Sequence, residues 1–139
     1  MKTMLSLFAA LLLTFSPVPS GAQSAPGQNA GVATIYIFRP ADDAGGAYAL
    51  TFQNQTIARV KAGTYVSFKL PEGRQFLLAD PKADQLYSLD VTAGASYYVR
   101  VASTGNLLRR HPGLVNSSAR EFESIRPSLN EIQANNAFR

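Results

Sequence analysis

The stretch TYVSFKLPEGRQFLLA, residues 64–79, contains two apolar segments separated by a turn signal. Side chains alternate between the two faces of an extended chain, so three apolar residues of the first segment share one face: Val66, Phe68 and Leu70. Pro71 presets φ for a turn and Gly73 can adopt a positive φ. The stretch therefore predicts two β-strands joined by a tight connection.

The same pattern of short apolar segments and turns extends along the chain in both directions. The further strand candidates are ATIYIFRP (33–40), YALTFQ (48–53), TIARV (56–60), LYSLDV (86–91), SYYVRVA (96–102) and LLRRHPGLV (107–115). The first has apolar residues on both faces, which is typical of a strand that is covered on both sides. Seven or eight short strands at this spacing predict an all-β fold, an antiparallel β-sandwich spanning residues 32–126.

One hairpin can be predicted in more detail. YALTFQ places Tyr48, Leu50 and Phe52 on one face, and TIARV follows after a turn that we predict at Asn54–Gln55. That turn would place Phe52 opposite Ile57.

The C-terminal part predicts a short helical segment. Ser118 stands three residues before Glu121, the spacing of a capping box, and Phe122 begins an apolar helical spacing. Pro127 limits the helix to about two turns. The sequence SLNE from Ser128 repeats the capping signal, so we expect residues 127–139 to form a partly helical tail with a frayed end.

The N-terminus predicts export. Lys2 precedes an apolar run from Met4 to Phe15, followed by prolines and small residues, the layout of a cleavable signal peptide over residues 1–22. An uncleaved membrane anchor is the alternative, but the run is shorter than the roughly 20 residues that span a bilayer. Residues 23–31 read as a flexible leader, and the rest as a single domain. The chain has no cysteine to carry a lipid, so we expect a periplasmic or secreted protein and no transmembrane segment after cleavage.

Composition argues against several chemistries. The formal net charge of +4 is small and the basic residues are scattered, so nucleic acid is not an expected partner. One histidine, His111, and no cysteine are too few for a transition-metal site, and no nucleophile motif is present. We therefore predict no catalytic residue, no metal and no cofactor.

Acidic residues are the remaining source of acid–base chemistry. Asp42 and Asp43 are adjacent, and three further candidates lie downstream: Asp80, Asp84 and Asp90. A pair of them could support a hydrolase or a carbohydrate-active enzyme. Adjacent aspartates in a DDAGG loop more often solvate a turn, and calcium binding is a weaker alternative because spaced oxygen ligands are missing.

Arginine and tyrosine residues give the candidate binding site. Tyr97 alternates into the core, while Tyr98 and Arg100 lie on the outer face of their strand. If the first strand were its neighbour, Tyr36 and Arg39 could join them in a patch suited to an anionic or sugar-bearing ligand. The alternative is a buried tyrosine–arginine brace with no ligand.

The order of motifs resembles the bacterial domain-of-unknown-function family 2846. Three motifs carry the resemblance: IYIFRP, the G-x-Y-x-x-F to P-x-G step, and AG-x-x-YYVRV, within roughly residues 33–125. The resemblance implies an exported β domain and no defined activity. Many relatives are lipoproteins, from which this chain departs because it lacks the cysteine.

Together these observations predict a non-enzymatic binding or interaction module of the bacterial cell envelope. Its partner would be an envelope protein or a glycan, met through an exposed strand edge or the loop ends of the sandwich. A small hydrolase and a structural accessory protein are the alternatives.

Overall fold

The computed structural model describes residues 31–80, 85–106 and 109–139. The predicted signal peptide, and the leader apart from Gly31, lie outside these residues, as does Asp84. Within the described ranges no helix is both long enough and apolar enough to cross a membrane.

The described residues form nine strands, one α-helix and two 3₁₀ turns. In chain order they are β1 (Val32–Arg39), β2 (Tyr48–Phe52), β3 (Gln55–Val60), β4 (Thr64–Pro71), β5 (Gly73–Leu78), β6 (Tyr87–Val91), β7 (Ser96–Asn106), β8 (Arg109–Asn116), α1 (Ala119–Ile125), a 3₁₀ turn (Arg126–Ser128), β9 (Asn130–Ile132) and a second 3₁₀ turn (Asn136–Phe138).

The strands make two sheets packed face to face, which confirms the predicted β-sandwich with a short C-terminal helix. The larger sheet has the order β8-β7-β1-β4-β9 and the smaller one the order β3-β2-β5-β6. Between β4 and β5 the chain crosses from one sheet to the other, and Gly73 allows the sharp change of direction with a φ of 119°. Two pairings in the larger sheet, β1 with β7 and β4 with β9, are parallel, a feature that the spacing of strands did not predict.

Strand β1 lies at the centre of the larger sheet and is covered on both faces, as predicted. Ile35 and Ile37 point to the smaller sheet and are fully buried. On the opposite face, hereafter the outer face, Phe38 is also fully buried because α1 packs there through Phe122. A strand covered on both sides needs an apolar residue at nearly every position, which IYIF supplies.

Helix α1 begins where the capping signal predicts. Ser118 is its N-cap, and the Ser118 Oγ accepts a hydrogen bond from the Glu121 backbone N–H at 3.1 Å. The Glu121 carboxylate does not return to the cap. It accepts hydrogen bonds from the Ser117 hydroxyl and from Arg100, and so connects the start of the helix to β7.

The turn between β2 and β3 lies one residue earlier than predicted. Gln53 and Asn54 have φ values of 49° and 62°, so Phe52 pairs with Gln55 and not with Ile57. Ile57 lies two residues beyond Gln55 and therefore on the core side, where it is 1 % exposed. A register shift next to Leu50 leaves Ile57 without a strand partner and brings Val60 to the core side as well. Glutamine is an unusual residue at a position with positive φ, which explains why the turn was misplaced.

Residues 127–139 pack against the domain more closely than the expected frayed tail. The second capping signal does not start a helical turn; Asn130–Ile132 forms β9 beside β4. The chain then reaches the smaller sheet, where the Asn135 N–H donates to the Ile57 carbonyl at 2.7 Å and Phe138 is buried. This segment covers one side of the sandwich, between β4 and β3.

Candidate functional site

The opposite side of the sandwich, between β6 and β8, contains a groove. Strand β8 ends at Asn116, which pairs with Val99, and the chain then turns into α1. The first residues of β7, Ser96 to Tyr98, therefore have no β8 partner along that edge. The space left there, hereafter the seam groove, has a volume of about 590 Å³ and is lined by Tyr87, Leu89, Ser96, Tyr97, Tyr98, Asn116, Ser117, Ser118 and Ala119.

Tyr98 forms a rigid wall of the seam groove. Its ring stacks on that of Tyr36, with centroids 5.1 Å apart and planes 7° from parallel. Phe122 packs against the same ring at 5.5 Å. Offset stacking of this kind is favourable beyond simple burial, so the position of the ring is fixed before a ligand arrives.

Tyr87 and Asn116 connect the two sheets across the groove. The Tyr87 hydroxyl donates a hydrogen bond to Asn116 Oδ1. Burial of the phenol raises the pKa of Tyr87 above its ordinary value, since the charged phenolate loses hydration. The phenol is protonated at neutral pH, as its donation to Asn116 requires, and the bond to the Asn116 oxygen orients the amide N–H groups.

The lining offers hydrogen-bond donors among its hydroxyl and amide groups and has no net charge. The Tyr97 hydroxyl accepts from the Thr92 N–H at 2.8 Å, and the Ser118 hydroxyl accepts from Glu121, so each retains its proton for donation. The Tyr98 and Ser96 hydroxyls have no partner within the described ranges. All nine lining residues are uncharged. The seam groove is thus suited to an uncharged molecule that is rich in oxygen acceptors.

The three predicted binding residues do not form one patch. Strands β1 and β7 are neighbours, as the patch required, and Tyr98 and Arg100 do share the outer face. Arg39, however, lies on the inner face with Ile35 and Ile37, is 0 % exposed, and binds its own loop through Asp43 and the Ala44 carbonyl. The alternation in IYIFRP already separates Arg39 from the outer face.

Arg100 lies beside the groove without lining it. Its Nη1 donates to Glu121 Oε1 at 3.1 Å, and its Nε is buried with no hydrogen-bond partner among the described residues. The Ser117 N–H donates to the Tyr98 carbonyl at 2.9 Å. Arg100, Glu121 and Ser117 together hold the start of α1 against β7, which makes Arg100 a positioning residue for the groove.

The acidic candidates lie on different elements. Asp43 is bound by Arg39 in the β1–β2 loop, whereas Asp90 on β6 pairs with Arg74 on β5 at 2.8 Å. His111 is exposed on β8. In the described part of the chain, no three His, Cys, Asp or Glu side chains lie close enough together to hold a metal ion.

Most of the groove was not anticipated from the sequence. The alternation places Tyr97 in the core, and it does pack against the core while also lining the groove. Tyr87 and Asn116 were not singled out, because only the packing of the two sheets brings β6 beside the end of β8. Comparisons of the chain with protein-family models, with curated proteins and with solved structures found no match. The resemblance to family 2846 stays a prediction.

Proposed function

We propose that this protein is an exported, non-enzymatic binding module of the bacterial cell envelope, and that its seam groove holds a neutral glycan. The observation that carries the proposal is the lining of the groove, where tyrosines lie among donor hydroxyl and amide groups without any charged side chain.

Sugars match this lining in two ways. Their hydroxyl and acetamido oxygens accept hydrogen bonds from the Tyr98, Ser96 and Asn116 donors. Their C–H faces pack against tyrosine rings, which present large apolar surfaces with a polar tip. A charged ligand would lack an opposite charge in the groove, and a purely apolar one would cover the donors of the groove without pairing them.

Fixed geometry supports ligand binding in the seam groove. The Tyr36–Tyr98 stack, the Tyr87–Asn116 bond and the Ser117–Glu121 bond hold three walls of the groove in place. A preformed site loses little side-chain freedom when a ligand enters, so modest contacts are sufficient for specific binding.

The proposal is tested by calorimetry of the full chain with soluble N-acetylglucosamine tetramer, with the glucose tetramer as comparison. We expect tighter binding of the acetamido sugar, because its carbonyl is a strong acceptor. Tyr98→Phe removes one donor and keeps the stack, and one lost hydrogen bond weakens binding by about fivefold. Tyr65→Phe is the matched control, since the Tyr65 hydroxyl binds Glu131 at 3.2 Å, away from the groove.

Four outcomes would overturn the proposal. Failure of both sugars to bind would remove the ligand class, and equal loss in the two variants would remove the groove. Recovery of a shortened sugar by mass spectrometry would favour the hydrolase alternative. Capture of an envelope protein that is unaffected by Tyr98→Phe would favour a protein partner.

A further inference from the structure

The seam groove opens onto an uncovered part of the outer face of the larger sheet. The strand register places Ser96 of β7 beside Thr34 of β1, and Thr34 beside Lys69 of β4. Neighbouring strands lie about 4.8 Å apart, so this row crosses about 10 Å of the sheet. It begins in the groove, because Ser96 is one of the groove's lining residues.

A second row runs parallel to the first and closer to α1. Tyr98 lies beside Tyr36, and Tyr36 lies beside Ser67. The helix covers the outer face beyond this row, where Phe122 packs on Phe38 and Tyr65. Phe122 also contacts the Tyr36 and Tyr98 rings, so the helix covers part of this row. The two rows therefore form a strip of sheet bounded on one side by α1.

The strip is accessible and its hydroxyl groups are free. Ser96 and Lys69 are exposed, and Thr34 and Ser67 are partly exposed. Within the described ranges, the side chains of Ser96, Thr34 and Ser67 make no hydrogen bond to another protein group. Each hydroxyl can donate to and accept from a ligand that lies across the strands.

The far end of the strip leads into a second cavity. This cavity, of about 280 Å³, is lined by Thr34, Ser67, Phe68, Lys69, Gln133, Phe138 and Arg139. Its two charged side chains, Lys69 and Arg139, are both cationic. The seam groove is uncharged, so the two ends of the strip differ in the ligand groups that they favour.

Resting on the proposed function, we infer that the seam groove and the second cavity are the two ends of one binding track for a linear glycan that carries a carboxylate near Lys69. A short neutral sugar fills the groove alone. A longer chain crosses β7, β1 and β4 over the hydroxyl rows, and its carboxylate is attracted to the cationic end.

The test compares four probes by calorimetry with the full chain. Three are N-acetylglucosamine oligomers of two, four and six units. The fourth is the tetrasaccharide of alternating N-acetylglucosamine and N-acetylmuramic acid, which adds lactyl carboxylates to the same backbone. We expect affinity to rise from the dimer to the tetramer and then to level off. We expect the carboxylated tetrasaccharide to bind about fivefold tighter than the neutral one, a preference that weakens as salt is added.

Two variants test the binding track independently of the seam groove. Thr34→Val keeps the shape and removes a hydroxyl, and should weaken binding of the tetramer and leave binding of the dimer unchanged. Lys69→Gln should abolish the preference for the carboxylated probe, whereas Lys61→Gln, at an exposed lysine outside the strip, should keep it. If dimer and tetramer bind equally well and Thr34→Val has no effect, the track is wrong while the groove stands. If no saccharide binds, the proposed function itself fails.

Discussion

Arg39 and Asp43 form an ion pair at the end of the sandwich, with Arg39 Nε 2.7 Å from Asp43 Oδ2 and the arginine side chain 0 % exposed. The remaining guanidinium nitrogens donate to the Gly46 and Ala44 carbonyls. The guanidinium also lies 4.4 Å from the centre of the Tyr48 ring. One buried cation thereby orders the loop between β1 and β2.

Replacement of this arginine should destabilise the protein strongly. Arg39→Met removes one partner of a buried pair and the guanidinium donors to the Gly46 and Ala44 carbonyls, so we expect the free energy of unfolding to fall by about 3–5 kcal/mol in urea denaturation. Arg39→Lys should also be destabilising, because one ammonium cannot reach all the acceptors. Arg74→Met, at the exposed pair with Asp90, is the control and should change stability little. A stable Arg39→Met would show that the loop needs no cation.

The hairpin turn offers a prediction that separates two registers. Gln53 and Asn54 both have positive φ, a conformation that Asn-Gly adopts at little cost. The double change Gln53→Asn and Asn54→Gly should therefore stabilise the protein by about 1 kcal/mol in urea denaturation. Gln55→Gly should destabilise it, since Gln55 is a strand residue paired with Phe52. If Gln55→Gly stabilised the protein and the double change destabilised it, the turn would lie at Asn54–Gln55, as the sequence alone suggested.

These cases show what residue patterns can and cannot predict here. Alternation assigned Val66, Phe68 and Leu70 to the core, and the spacing of Ser118 and Glu121 located the helix start, because both depend on local geometry. The parallel pairing of β1 with β7 and the approach of Tyr87 to Asn116 depend on which strands become neighbours. Strand order depends on packing across the whole chain, so no local residue pattern predicts the seam groove.

Phe122 should account for most of the attachment of α1. It is 0 % exposed and contacts four aromatic rings on the outer face: Tyr36, Phe38, Tyr65 and Tyr98. Phe122→Ala should lower the free energy of unfolding by about 3–5 kcal/mol because it leaves a cavity under the helix. Glu123→Ala, on the exposed side of the same helix, should have little effect. Equal effects of the two changes in urea denaturation would contradict this packing.

Tyr87 should make stability depend on alkaline pH. Burial raises the pKa of its phenol in the folded protein, while the unfolded chain keeps the ordinary value near 10. The unfolded state therefore loses this proton first. The stabilising contribution is complete below about pH 10 and is lost as pH rises through the higher pKa of the folded state. Phenolate absorbance should show a late ionisation of Tyr87 in the wild type that is missing in Tyr87→Phe. The variant should also lose less stability between neutral and alkaline pH than the wild type does. Tyr36→Phe is the matched control and should keep the late ionisation. A titration curve of Tyr87→Phe that is unchanged in its late-ionising part would show that the Tyr87 phenol does not ionise late.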